Sequence, residues 1–140
     1  MKVLLDTCVV SEIQRRRGNP RVRERVDQLA DEDLFLSVIT IGEIAKGTIL
    51  LKAGKKKRNL EQWLLDLEQH YTSRILPIDA ETGHIWGEIT AEAQKAGNVI
   101  PVSDGLISAT AMHHGLHVMT RNVEHFLTVG TLLVNPWEDG

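Results

Sequence analysis

Cys8 is the only cysteine in the 140 residues, so no disulfide can form within the chain and stability has to come from packing. A lone thiol suits a reducing compartment. No apolar run approaches the roughly 20 residues of a membrane span. The opening run, Val3 to Leu5, is cut by Asp6 and is too short for a secretory leader, so a cytoplasmic protein with no membrane partner is expected. No glycine-rich phosphate loop follows any apolar segment. His113 and His117 have the spacing of a zinc pair, but Gly115 breaks the helix that would align them and no Glu follows His113. A phosphatase loop opened by Cys8 would need an arginine where Gln14 stands, which leaves Cys8 as a small buried thiol.

What is present is ordinary for one globular domain spanning 1–140: 42% apolar residues and 25% charged ones. The net charge of −3 argues mildly against nucleic-acid binding, yet it hides an asymmetry. Residues 1–74 carry 14 Lys and Arg against 11 Asp and Glu, whereas residues 75–140 carry 2 against 8. The basic charge gathers in runs, chiefly Arg15, Arg16 and Arg17, then Lys55, Lys56, Lys57 and Arg58. Each run reads equally as a solvated helix face or as a surface turned toward phosphate.

Short apolar runs alternate with segments of helical periodicity. Strands are expected at Lys2–Leu5, Leu34–Ser37, Arg74–Ile78, Leu116–Met119 and Thr131–Val134. Between them, helices are expected from Val9 to Arg16, from Pro20, from Ser37 or Thr40 to Leu51, after the Lys55–Arg58 run along Leu60, Trp63, Leu64 and Leu67, and from Ala80 to Ala96. A last helix, capped by Ser103 or Asp104, stops at Gly115. This order implies βαβ units and a three-layer α/β/α sandwich around a parallel sheet of four to five short strands.

In such a fold chemistry collects at the carboxyl ends of the strands. Asp6 ends the first strand, Glu43 lies early in the helix after the second, and Asp104 opens the helix before the fourth, which ends in Thr120, Arg121 and Asn122. Each acid has a local explanation: a turn with Thr7, a capping box of Thr40 with Glu43, a cap by Asp104. Together they reach one rim, where their mutual repulsion calls for a cation. Oxygen donors alone point to Mg2+ or Mn2+ and to hydrolysis of a phosphodiester. Arg121 beside them reads as a phosphate ligand or as half of an ion pair.

DTCVVSEI at 6–13, SVITIGEIAKG at 37–47, SDGLISATAMHHGL at 103–116, TRNVEHF at 120–126 and the closing NPW, in that order, resemble a PIN-domain protein of the VapC or FitB toxin type. The resemblance implies an Mg2+- or Mn2+-dependent endoribonuclease, the toxin of a type II toxin–antitoxin pair. It also implies a homodimer held inactive by a cognate antitoxin. Asp6, Glu43 and Asp104 match the family's acids and Thr120 its hydroxyl. Asn122 stands where a fourth acid is frequent, and Glu124 is a candidate substitute. The Arg and Lys runs with Arg121 would guide RNA. The alternative is a non-catalytic module of the same fold that binds nucleic acid or antitoxin; a phosphatase or flap-type DNA nuclease would use the same acids on another substrate.

Overall fold

β1 (Val3–Leu5) is apolar at every position because helices cover both of its faces: Val3 and Leu5 enter one core and Leu4 the other. The structure is a computed structural model and describes residues 1–138. β2 (Leu34–Ser37) and β4 (His117–Met119) pair with β1 in parallel, Val3 standing opposite both Leu34 and His117. β3 (Ile75–Leu76) extends the sheet beyond β2 and β5 (Leu133–Val134) beyond β4, giving five strands in the order β3-β2-β1-β4-β5. The same alternation runs across the sheet, Leu34 and Leu36 facing one layer and Phe35 the other.

α1 (Thr7–Gln14), α2 (Pro20–Asp27), α3 (Val38–Ile49) and α4 (Lys55–His70) pack on the face of Val3 and Leu5. On the other face lie α6 (Val102–His114), which delivers Ile107 and Ala111, and the short α7 (Val123–Leu127), which delivers Phe126. α5 (Ala80–Lys95) packs against α6. Gly105 permits that approach, since a Cβ there would stand 3.0 Å from Trp86 Nε1 and 3.2 Å from Thr90 Cγ2. The three-layer parallel architecture expected from the sequence is therefore the observed one. No helix among the described residues is long and apolar enough to cross a membrane.

The element boundaries differ from the sequence reading for local reasons. α1 starts at Thr7 rather than Val9 because the Asp6 carboxylate accepts from the Thr7 backbone N–H at 2.9 Å. Ser37 caps α3 through the Ile39 N–H at 3.0 Å, so Thr40 and Glu43 form no capping box. α4 begins at Lys55, which makes the basic run its first turn instead of a loop before it. Cations there lie against the positive end of the helix dipole and raise the local potential. α6 begins at Val102 with no side-chain cap, so Ser103 and Asp104 sit inside its first turn and neither caps it. Gly115 ends α6 in the left-handed region, at φ 66°. α7 was not expected; Val123, Phe126 and Leu127 have the spacing of one short apolar helix face.

β1 leads outward to β2 and then β3, while the chain returns across β1 to form β4 on its other side. The crevice at the carboxyl ends of β1 and β4 is therefore the switch point of the sheet, the place where open α/β folds bind ligands. α5 and α6 are fastened together at the opposite end of α6. His113 Nδ1 lies 2.9 Å from Thr82 Oγ1, and its Nε2 lies 3.1 Å from Glu81 Oε2. Asp79 caps α5, accepting from the Thr82 N–H at 2.9 Å and the Thr82 hydroxyl at 2.8 Å.

Those two bonds hold the Asp79 carboxyl below its ordinary value of 3.8, so its stabilising effect is complete above that pH and is lost as the pH falls through the lowered folded value. Asp79→Ala should accordingly lower the melting temperature at pH 7, and thermal melts of the two proteins should converge in acid below pH 3.8.

Candidate active site

Asp6 is the residue at which β1 becomes α1, and its carboxylate is only 4% exposed. One oxygen, Oδ1, caps α1 through the Thr7 N–H. The other, Oδ2, accepts from the buried Thr120 hydroxyl at 2.7 Å and from the Cys8 thiol at 3.5 Å. The backbone closes the same corner, with the Asp6 N–H donating to Met119 O at 3.0 Å. Burial pushes the Asp6 carboxyl above its ordinary value; the bonds from Thr120 and Thr7 pull it down, and the charge of Asp104 adds to the rise. The Cys8 thiol is pushed up to about 11, by burial first and by Asp6 second, so it is neutral at pH 7 in the metal-free protein.

Asp104 sits inside the first turn of α6, its side chain 14% exposed, close enough to Asp6 for their charges to repel. Its Oδ2 lies 2.5 Å from Nδ1 of His125 on α7. The sequence reading did not single out His125. Its only signal was the repeat Val123, Phe126 and Leu127, which makes a short helix from which His125 reaches Asp104 on α6.

Glu43 approaches from the opposite side. It is exposed on α3, and Oε1 accepts from the Thr7 hydroxyl at 2.6 Å; Thr7 Oγ1 also lies 3.0 Å from the Oγ1 of buried Thr40. All three acids thus stand at the rim expected of them, but not as one cluster: Asp6 and Asp104 form a coupled pair, and Glu43 is tied to it through Thr7. Among the described residues no group of three His, Cys, Asp or Glu side chains is arranged to hold one ion. Thr120 is buried and bonded to Asp6, whereas Asn122 contributes its backbone, the N–H donating to Thr120 Oγ1 at 3.0 Å. Glu124 is exposed on α7.

The basic residues divide. Arg15 and Arg16 face Lys55 and Lys56 across a cleft of about 820 Å³ that also reaches Thr7 and Glu43, with Ile44, Leu60 and Trp63 among its walls. Lys57 instead donates to Ile49 O at 3.2 Å, closing the end of α3. Arg17 and Arg58 are exposed and do not line that cleft. Among the described residues Arg121 is not paired with an acid; its guanidinium lies over the Trp137 ring, 5.4 Å from the centroid.

The PIN domain family model matches residues 3–130, and the chain belongs to that family. It is similar to Toxin FitB of Neisseria gonorrhoeae, 41% identical over 98% of this chain and 99% of that protein. It is also similar to VapC ribonuclease Y4jK of Sinorhizobium fredii, 34% identical over 97% of this chain and 98% of the relative. The crystal structure of FitAcB from Neisseria gonorrhoeae superposes with a TM-score of 0.92 at 39% identity, covering 97% of this chain and 99% of that one.

The raised Asp6 carboxyl has a measurable consequence. A carboxyl whose folded value lies above its unfolded one costs no stability in acid and costs progressively more as the pH rises through the folded value. Asp6→Asn should therefore raise the melting temperature at pH 7 in metal-free buffer, by roughly 2–5 °C, and the gain should fade as the pH is lowered. A variant that melts below the wild type under those conditions would mean that the charge at Asp6 is not the costly element.

Proposed function

We propose that this protein is a metal-dependent endoribonuclease, the toxin of a type II toxin–antitoxin system, cutting RNA phosphodiester bonds at the Asp6–Asp104 pair. The observation that carries the reading is the electrostatic coupling of two carboxylates, one of them buried, at the switch point of a PIN-family sheet. The ribonuclease name of Y4jK and the toxin name of FitB support the substrate and the biological role.

The residues fit a hard divalent cation. Asp6, Asp104 and Glu43 offer oxygen donors, and the repulsion between Asp6 and Asp104 is what an added double charge relieves. Asp6 and Asp104 would hold Mg2+ or Mn2+, with Glu43 completing the acidic rim and Asn122 or Glu124 available as further oxygen ligands. Bound there, the ion would supply Lewis acidity toward a phosphoryl oxygen and a more acidic water. The chain's own part is orientation. Thr120 and the Thr7 N–H fix both oxygens of Asp6, His125 holds Asp104, and the Thr7 hydroxyl holds Glu43. Pre-set ligands of this kind need no rearrangement when the substrate arrives.

Arg15, Arg16, Lys55 and Lys56 line the cleft that opens beside Glu43, and this supports it as the path of the RNA backbone. Its apolar walls also suit an antitoxin segment that carries both acidic and apolar side chains and blocks RNA when bound. A second copy of the chain completes the proposed toxin, and the cytoplasm, where RNA is made and Cys8 stays reduced, is its proposed location.

Purified protein incubated with RNA should cleave it only when Mg2+ or Mn2+ is added. Asp6→Asn and Asp104→Asn should each slow cleavage by about 100-fold or more. Cleavage unaffected by chelation, or retained in both variants, would sink the proposal; RNA binding with no cleavage at all would leave the non-catalytic module. A separate measurement concerns the cleft. Arg15→Gln and Lys55→Gln should weaken RNA binding across sequences and should each reduce the slope of log affinity against log salt by about 0.7.

A further inference from the structure

A second cleft, of about 620 Å³, opens between α7 and the turn that closes the described chain, on the Asp104 side of the acidic pair. Its volume falls in the range of small-molecule sites, about 300–1,000 Å³. Its chemistry is unlike that of the basic cleft. Among the described residues its lining sets one cation, Arg121, against two acids, Glu124 and Glu138, together with Asn19 and Asn122. A phosphate backbone gains nothing from that balance, because the acids cancel the attraction that phosphate binding depends on.

The flat groups are what stand out. The Arg121 guanidinium lies over the Trp137 indole, 5.4 Å from the ring centroid, so its charge is spent partly on the π face. The backbone at Trp137 is held from two directions: its main-chain N–H donates to Asn135 Oδ1 at 3.0 Å, and Arg21 Nη1 donates to its carbonyl oxygen at 3.1 Å. An aromatic and guanidinium ledge on a held backbone, edged by amides and carboxylates, matches a nucleobase, which offers a face for stacking and donors and acceptors along its edges.

The position of this ledge relative to the acids gives it a role. His125 lines the same cleft and contacts Asp104 at 2.5 Å. Asn122 lines it too, and its N–H reaches Thr120, the partner of Asp6. A nucleotide whose base enters here therefore has its sugar and phosphate beside the acidic pair.

We propose that this cleft seats one unstacked nucleobase of the RNA next to the scissile phosphate, with Trp137 and Arg121 as the stacking surface and Asn19, Asn122, Glu124 and Glu138 as the groups that read its edge. The proposal rests on the ribonuclease reading, and it makes the cleft, rather than the basic one, the source of base preference.

The test uses binding, kept apart from cleavage by working in the Asp6→Asn protein. Fluorescence anisotropy is read with a short single-stranded RNA and with a series of the same RNA carrying one abasic position each. Intact RNA should bind more tightly than the oligonucleotide abasic at one particular position. Arg121→Met and Trp137→Ala should each weaken intact RNA by about 10-fold, leave the abasic one unchanged, and leave the salt slope unaltered. Trp137→Phe, which keeps an aromatic face, should retain most of the affinity, and thermal melts of every variant control for folding, with Arg121→Met deciding the matter if Trp137→Ala does not fold.

Equal weakening of all oligonucleotides by Arg121→Met, with a shallower salt slope, would make Arg121 a phosphate contact and overturn the proposal, as would the lack of any abasic effect. Wild-type cleavage in Mg2+ is scored separately. Cleavage without base-dependent binding removes this inference alone. Base-dependent binding without cleavage removes the ribonuclease reading and leaves a base-binding cleft.

Discussion

The carboxylate of Asp6 is asked to satisfy two demands that oppose each other. As the group at the β1–α1 corner it starts a helix, ties β1 to β4 through Thr120 and is buried; as an acid it keeps its charge near a second acid. Burial and repulsion both disfavour the ionised form, while three hydrogen-bond donors favour it. The site is thus a place where the fold gives up stability to keep an anion in position, a pattern common where function and stability compete. A cation that binds there restores part of what the anion loses, so ion binding and stability are linked in the proposed enzyme.

The sequence made this corner readable because its signals are of the strongest local kind. An apolar run stopped by Asp6, a helix stopped by Gly115 and a strand ended by Thr120 each mark a boundary on their own, and their order forces parallel strands. What could not be read depends on distance in space. Nothing near Glu43 in sequence says that its carboxylate is held by Thr7, 36 residues earlier, nor does anything near Asp104 point to His125, 21 residues later. The three acids could be placed on one rim, but their separation into a pair and a tethered third follows from how α1 meets α3. The start of α4 was missed because four cations oppose the helix dipole, although Lys and Arg are good helix formers, so Lys55–Arg58 reads as a run before the helix. Tertiary packing through Trp63, Leu64 and Leu67 outweighs that cost.

Two clefts flank the acids and differ in kind. The one walled by α1, α3 and α4 has cations on its rim and apolar side chains within. The one beside α7 has an aromatic ledge and a nearly balanced set of charges. An extended polyanion needs the first kind of surface for affinity and the second for discrimination, since phosphate contacts are the same along any sequence whereas stacking and edge contacts depend on the base.

Position 122 bears on how much charge the site can hold. The family resemblance implies an acid at this position, or an Asn in the branch that shares the NPW ending, and this chain has Asn122. Its recorded contact is made by the backbone, whose N–H donates to Thr120 Oγ1, so the contact that orders Thr120, and Asp6 through it, does not depend on whether an acid or an amide follows. An added carboxylate would place a third negative charge near a pair that already repels, and would raise the Asp6 carboxyl further. With an amide, the anion at Asp6 is easier to maintain, while the attraction for a second cation falls. The substitution therefore trades ion number for the ionisation of the acid on which the corner is built, and it does so without touching the hydrogen bonds that hold that acid in place.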